Sequence, residues 1–178
     1  MGFLWSKSEE SEIQYSNTLE RSLLETEPEL IFRTGDILIT PASALEITMS
    51  KRLWSHLALV VYSEKNVYAF SNGVCNDIND YLFNHPHTVC RPLQCIRYSG
   101  FDREVEEAAA KTADLMMKKY NMSIEKRESY CAATMLGYLG LVDLTELNEF
   151  YSQLKTDDFA PNGRLKLKNY TRECWKVN

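Results

Sequence analysis

The chain has no run of 18 consecutive apolar residues, so no segment reads as a membrane-spanning helix. It shows no secretory leader: the apolar part of the opening MGFLWSKSEE is too short for one. Without an export signal, the five cysteines (Cys75, Cys90, Cys95, Cys131 and Cys174) read as reduced thiols of an intracellular, cytoplasmic protein. Their odd number leaves one unpaired under any scheme. There is no basic stripe and the net charge is −5, which sets nucleic acid aside as a partner. No internal repeat or low-complexity segment is present. Histidine is scarce: His56, His85 and His87 are the whole supply of imidazole bases.

What is present fits one globular domain. The 178 residues can bury a sizeable core, and 44% apolar with 25% charged residues is ordinary for such a chain. The first 30 residues are polar and acidic, with seven Glu between Glu9 and Glu29. They read as an N-terminal arm with some helix, ended by Pro28, ahead of a domain over 31–178. Met1-Gly2 with Ser6 fits the outline of a myristoylation site at Gly2, although Phe3 counts against it. An acyl chain there, with Phe3, Leu4 and Trp5 as a second contact, would give membrane association through the N-terminus.

Beyond residue 30 the pattern is α+β. Thr34-Gly35-Asp36 is a turn, and Ile37–Thr40 a short apolar strand. Leu45, Met49 and Leu53 are spaced for a helix over Pro41–Arg52. Trp54–Tyr62 is a strand, Ser63–Asn66 a hairpin turn, Val67–Ser71 the return strand, and Asn72-Gly73 another turn. Asp77–Asn84 reads as a short helix. Thr88–Tyr98 reads as a strand that Pro92 makes an edge or a broken one. Asp102–Lys119 is the clearest helix, with acids in its first turn and lysines in its last. A second helix runs from Cys131 to Gly140, a third over Thr145–Leu154, and Leu165–Val177 alternates as a final strand.

Cys131 opens an Ala/Leu-rich run, which predicts a thiol at a helix N-terminus. The free N–H groups there would stabilise a thiolate and an oxyanion. His56, at the start of an apolar strand, is the candidate base that would take the thiol proton. Each also fits a packed core residue, since free cysteine is among the most buried side chains. His85, His87, Cys90 and Cys95 fall close together, but H-x-H-x2-C-x4-C matches no common structural zinc spacing. No metal and no cofactor are expected.

The order of four short motifs adds to this. T-G-D-I-L at 34–38, W-S-H-L-A-L-V-V at 54–61, V-Y-A-F-S-N-G-V at 67–74 and S-Y-C-A-A-T-M-L at 129–136 resemble the permuted papain-like fold. That is the circularly permuted branch of the NlpC-type superfamily, which includes YiiX-like amidases, the lecithin–retinol acyltransferase group and some large-virus proteins. The resemblance spans roughly Phe32–Phe159, with Asp158-Phe159 as a closing element. It implies an antiparallel sheet packed against helices, His56 as base and Cys131 as nucleophile. It places Tyr68 at the third catalytic position, where the family usually has Glu or His. Ser71 or Asn72 would serve there in a shifted register. Ala58, Ala132 and Thr134 depart from the family pattern.

Two functions stay open. One is a cysteine-dependent hydrolase or acyltransferase, a cysteine peptidase or amidase among them. It would act on an amide- or acyl-containing substrate, peptide or lipid, through a thioester. The other is a weak or inactive member with a structural or interaction role at a membrane or in a large assembly such as a virion, bound to protein partners.

Overall fold

A computed structural model of the chain describes residues 17–42, 48–49, 53–84, 88–92, 101–119, 121–141, 153–159, 165 and 170–177. Its elements in chain order are β1 (Asn17–Leu19), α1 (Arg21–Thr26), α2 (Pro28–Ile31), β2 (Ile37–Pro41), β3 (Trp54–Ser63), β4 (Asn66–Ser71) and β5 (Val74–Asp77). Then follow α3 (Ile78–Asn84), β6 (Thr88–Pro92), α4 (Phe101–Met117), α5 (Ile124–Tyr138), a 3-10 turn (Thr156–Phe159) and β7 (Tyr170–Val177). The class is α+β. The described strands form one sheet in the order β1-β7-β6-β2-β3-β4-β5, antiparallel throughout except for the β1–β7 pair.

Strand β3 reads as a continuous apolar run because both faces of the sheet are covered there. Its odd-numbered residues Leu57, Leu59 and Val61 join Ile37, Ile39 and Phe70 against α4 and α5. Its even-numbered residues Ala58 and Val60 join Leu38 and Ala69 against Leu24 of α1, Ile31 of α2, and Ile78, Tyr81 and Leu82 of α3. The segment read as an N-terminal arm is therefore packed into the domain from Asn17 on. β1 pairs with β7, and Leu24 is fully buried. α1 ends at Thr26, with Glu27 as its C-cap directly before Pro28, as expected. Pro28 itself opens α2, where its missing N–H costs nothing.

β6 lies inside the sheet, between β7 and β2, rather than at an edge. Its pairing with β7 shifts register between Cys90 and Pro92, which is how an interior strand accommodates a residue with no donor. α4 follows the expected span, with Asp102 and Glu104 in its first turn and Lys118 and Lys119 just past its end. α5 does not begin at Cys131. It starts at Ile124, after Ser123, and carries Glu128 and Cys131 one turn apart on the same side. The helices expected over Pro41–Arg52 and Thr145–Leu154 lie largely outside the described residues. Among the described residues no helix is long and apolar enough to cross a membrane.

Candidate functional site

The site forms where β4 leaves β3. The β3–β4 ladder runs from Ser63↔Asn66 to Leu59↔Phe70, after which the chain turns at Asn72-Gly73. Both turn residues have positive φ, 52° and 81°, an αL pair suited to Asn and Gly. Leu57 is beyond the last pair, so its N–H and C=O have no partner on β4. Side chains replace the lost ladder. The Glu128 carboxylate accepts the Leu57 N–H through Oε2 at 3.3 Å, and the Ser71 hydroxyl donates to the Leu57 carbonyl at 2.9 Å. Neither Glu128 nor its role was singled out in the sequence.

The other Glu128 oxygen, Oε1, lies 3.2 Å from His56 Nδ1. The pair is asymmetric in exposure: the His56 side chain is 42% accessible, that of Glu128 only 10%. His56 lies across from Thr40 in the β2–β3 register, beside the irregularity that separates this pair from Pro41 and Trp54. It opens into a polar cleft of about 380 Å³ whose other walls include Asn72, Asn76, and Asp80, Tyr81 and Asn84 around α3. Tyr81, buried beside this cleft, has its hydroxyl pKa raised, first by burial and then by the Glu128 charge.

Cys131 is placed differently. It packs with Leu57, Leu59, Ala133 and Met135 in the cluster on the α4/α5 face and is 1% exposed. It does not line the His56 cleft. Sγ accepts an N–H from Gly73 at 3.3 Å, and Asn72 N–H also acts on it. Burial dominates and pushes the thiol up to about 12; the Gly73 and Asn72 donors and the Arg127 charge pull it down, while Glu128 pushes it up. Cys131 sits seven residues past Ile124, in the body of α5. The expectation of a thiol at a helix N-terminus, with oxyanion donors from that end, does not hold. The reason is that Ile124–Tyr130 is helical too.

Tyr68 does not reach His56. It pairs with Val61, five positions further along β3 than His56, which is about 16 Å of strand. It lines a separate, mainly apolar cleft of about 440 Å³ with Phe70, Gly73, Ala109 and Ala113. Of the alternatives in a shifted register, Ser71 and Asn72 both line the His56 cleft, but the carboxylate facing the imidazole is Glu128. Arg127 ties the turn to the helices: Nε donates to Asn72 Oδ1 at 2.7 Å, and Nη2 to the Met116 carbonyl at the end of α4. The 3-10 turn Thr156–Phe159 meets the start of β3 through Asp157, whose carboxylate accepts the Leu53 and Trp54 N–H groups. Gly2, His85, His87 and Cys95 lie outside the described residues. Among the described residues no cluster of His, Cys, Asp and Glu is arranged to hold a metal ion.

No protein-family model, no curated protein and no solved structure matches the chain.

Proposed function

We propose that this chain is a permuted papain-like domain that binds a partner and does not cleave a substrate. The observation that carries this reading is the burial of Cys131, which is 1% exposed, packs in the apolar layer rather than lining the His56 cleft, and has its thiol pKa pushed up to about 12. A general base must come within hydrogen-bond reach of the proton that it takes, and a nucleophilic cysteine must be a thiolate near neutral pH. The binding surface in this reading is the His56 cleft. Its Glu128 and Asp80 carboxylates, amide side chains and imidazole favour a ligand rich in N–H donors, such as a basic side chain of a protein partner. The net charge of −5 favours the same class.

Two measurements test this. Titration with an arginine-containing peptide, followed by NMR, should shift the resonances of His56, Asn76 and Asp80, and an acidic peptide of equal length should not. Incubation with activated acyl esters should leave Cys131 unmodified by intact-mass analysis. Accumulation of an acyl adduct on Cys131 would overturn the reading.

A second reading, a cysteine hydrolase or acyltransferase, has one observation in its favour. Glu128 engages Nδ1 of His56, the nitrogen that the orienting carboxylate holds in a Cys-His or Ser-His triad. Cys131 would attack a carbonyl to form a thioester, and His56 would take and return the proton. This requires the thiol, 1% exposed here, to become accessible to the imidazole and to a substrate. An acyl adduct on Cys131 that His56→Ala abolishes is the result that would establish it.

A further inference from the structure

The helical hairpin formed by α4 and α5 brings exposed apolar side chains and lysines together at one end. Met117, the last residue of α4, is 78% exposed; Ile124, the first of α5, is 69% exposed. The two helices pack against each other, and Arg127 donates to the Met116 and Lys119 carbonyls, so both apolar side chains stand at one end of the hairpin. Residues 115–127 contain Lys118, Lys119, Lys126 and Arg127 against a single acid, Glu125, in a chain whose net charge is −5. Lys118 and Lys126 are exposed, while Lys119 lies over the Tyr130 ring at 5.3 Å.

We propose that this hairpin tip docks on an anionic lipid surface, with Met117 and Ile124 entering the headgroup region and Lys118 and Lys126 facing the lipid charges. Two exposed apolar side chains at the end of a helical hairpin suit shallow insertion into a lipid interface. Lysines beside the apolar residues supply attraction to anionic headgroups, and the two contributions add. This contact shares no residue with the His56 cleft.

The test uses the full-length chain made without an acylating enzyme, so that Gly2 carries no lipid. Cosedimentation is measured with vesicles of phosphatidylcholine alone and of phosphatidylcholine with one-third phosphatidylserine. Two double variants accompany the wild type: Met117→Ser with Ile124→Ser, and Lys118→Glu with Lys126→Glu. All four positions are exposed, so circular dichroism should remain that of the wild type. The expected result is binding to the anionic vesicles only, weakened roughly tenfold or more by either double variant. No binding to anionic vesicles, equal binding to both vesicle types, or binding that both variants leave unchanged would each overturn the proposal. The last of these would assign the contact to the N-terminal segment. Lysine-dependent binding to a polyglutamate peptide without vesicle binding would also overturn it, in favour of an acidic protein partner.

Discussion

Residues 56 and 57 are neighbours in sequence and occupy two different chemical environments. His56 faces a polar cleft open to water. Leu57 faces a sealed apolar layer that also holds the Cys131 thiol. One carboxylate touches both residues: Glu128 accepts the Leu57 N–H with one oxygen and faces His56 Nδ1 with the other. The difference teaches that two neighbouring residues of one strand can meet water and core, and that a single carboxylate can serve both.

Removing the group shared by the two sides should have the largest effect. Glu128→Ala leaves the Leu57 N–H unpaired and His56 untethered, and is expected to destabilise the fold by about 3 kcal/mol, since hydrogen bonds to charged groups are worth about 1.5–3 kcal/mol each. Glu128→Gln, which keeps the shape and an acceptor, should recover about half of that. Denaturant midpoints check both.

Gly73 lies on the sealed side of the turn. Its φ is +81°, and a Cβ there would meet Met116 Cβ at 2.9 Å. Gly73→Ala should therefore cost about 2 kcal/mol. By pushing α4 away it should also raise the rate at which Cys131 is alkylated, while leaving the spectrum of the His56 cleft unchanged. Equal labelling in wild type and variant would show that the turn does not seal the thiol.

The sealed side also has a pH signature. Burial raises the Cys131 pKa from 9.0 to about 12. Between those values the unfolded chain has lost the thiol proton and the folded chain has kept it. The folded state then binds more protons, and stability falls as pH rises. The contribution is flat below about pH 9, falls by up to about 1.4 kcal/mol per pH unit above it, and levels off near pH 12. Cys131→Ala should flatten that part of the curve. Tyr81 on the other face, raised in the same direction, leaves a residual alkaline slope in the variant.

Ser129 gives the smallest effect. It is fully buried between Glu128 and Tyr130, and its hydroxyl has no hydrogen-bond partner. Ser129→Ala should leave stability unchanged or raise it by up to about 1 kcal/mol. A loss larger than that would mean that the hydroxyl supports the Glu128 contact.

The local elements were legible because their signals are local. The apolar run at Trp54–Tyr62, the turn at Ser63–Asn66 and the return strand appear at almost their observed bounds. The Asn72-Gly73 turn and the helix from Asp102 were legible for the same reason. β5 was not, because its four residues are all exposed and carry no alternation between buried and exposed positions. The start of α5 was missed because IEKRES is polar and resembles a loop. Ser123 ahead of it is an N-cap residue type and was the available signal. With α5 begun at Ile124, a Glu one turn before Cys131 becomes visible as a partner on the same helix face.

What no local signal could give is the pairing of His56 with Glu128, 72 residues apart. Nor could it give which of His56 and Leu57 meets water. Both faces of β3 are apolar over Ala58–Val61, so alternation is hidden where it was needed. The third position expected at Tyr68 rested on spacing along a strand. The observed acid comes instead from a helix that fills the gap where β4 departs.

The central claim is that Cys131 and His56 are chemically uncoupled. The most direct test is the pH dependence of iodoacetamide labelling at Cys131, resolved by peptide mass spectrometry, in wild type and His56→Ala. The account predicts slow labelling near neutral pH, the same in both proteins and rising only in the alkaline range. Fast labelling near neutral pH that His56→Ala abolishes would contradict it and make the pair a thiolate–imidazolium dyad.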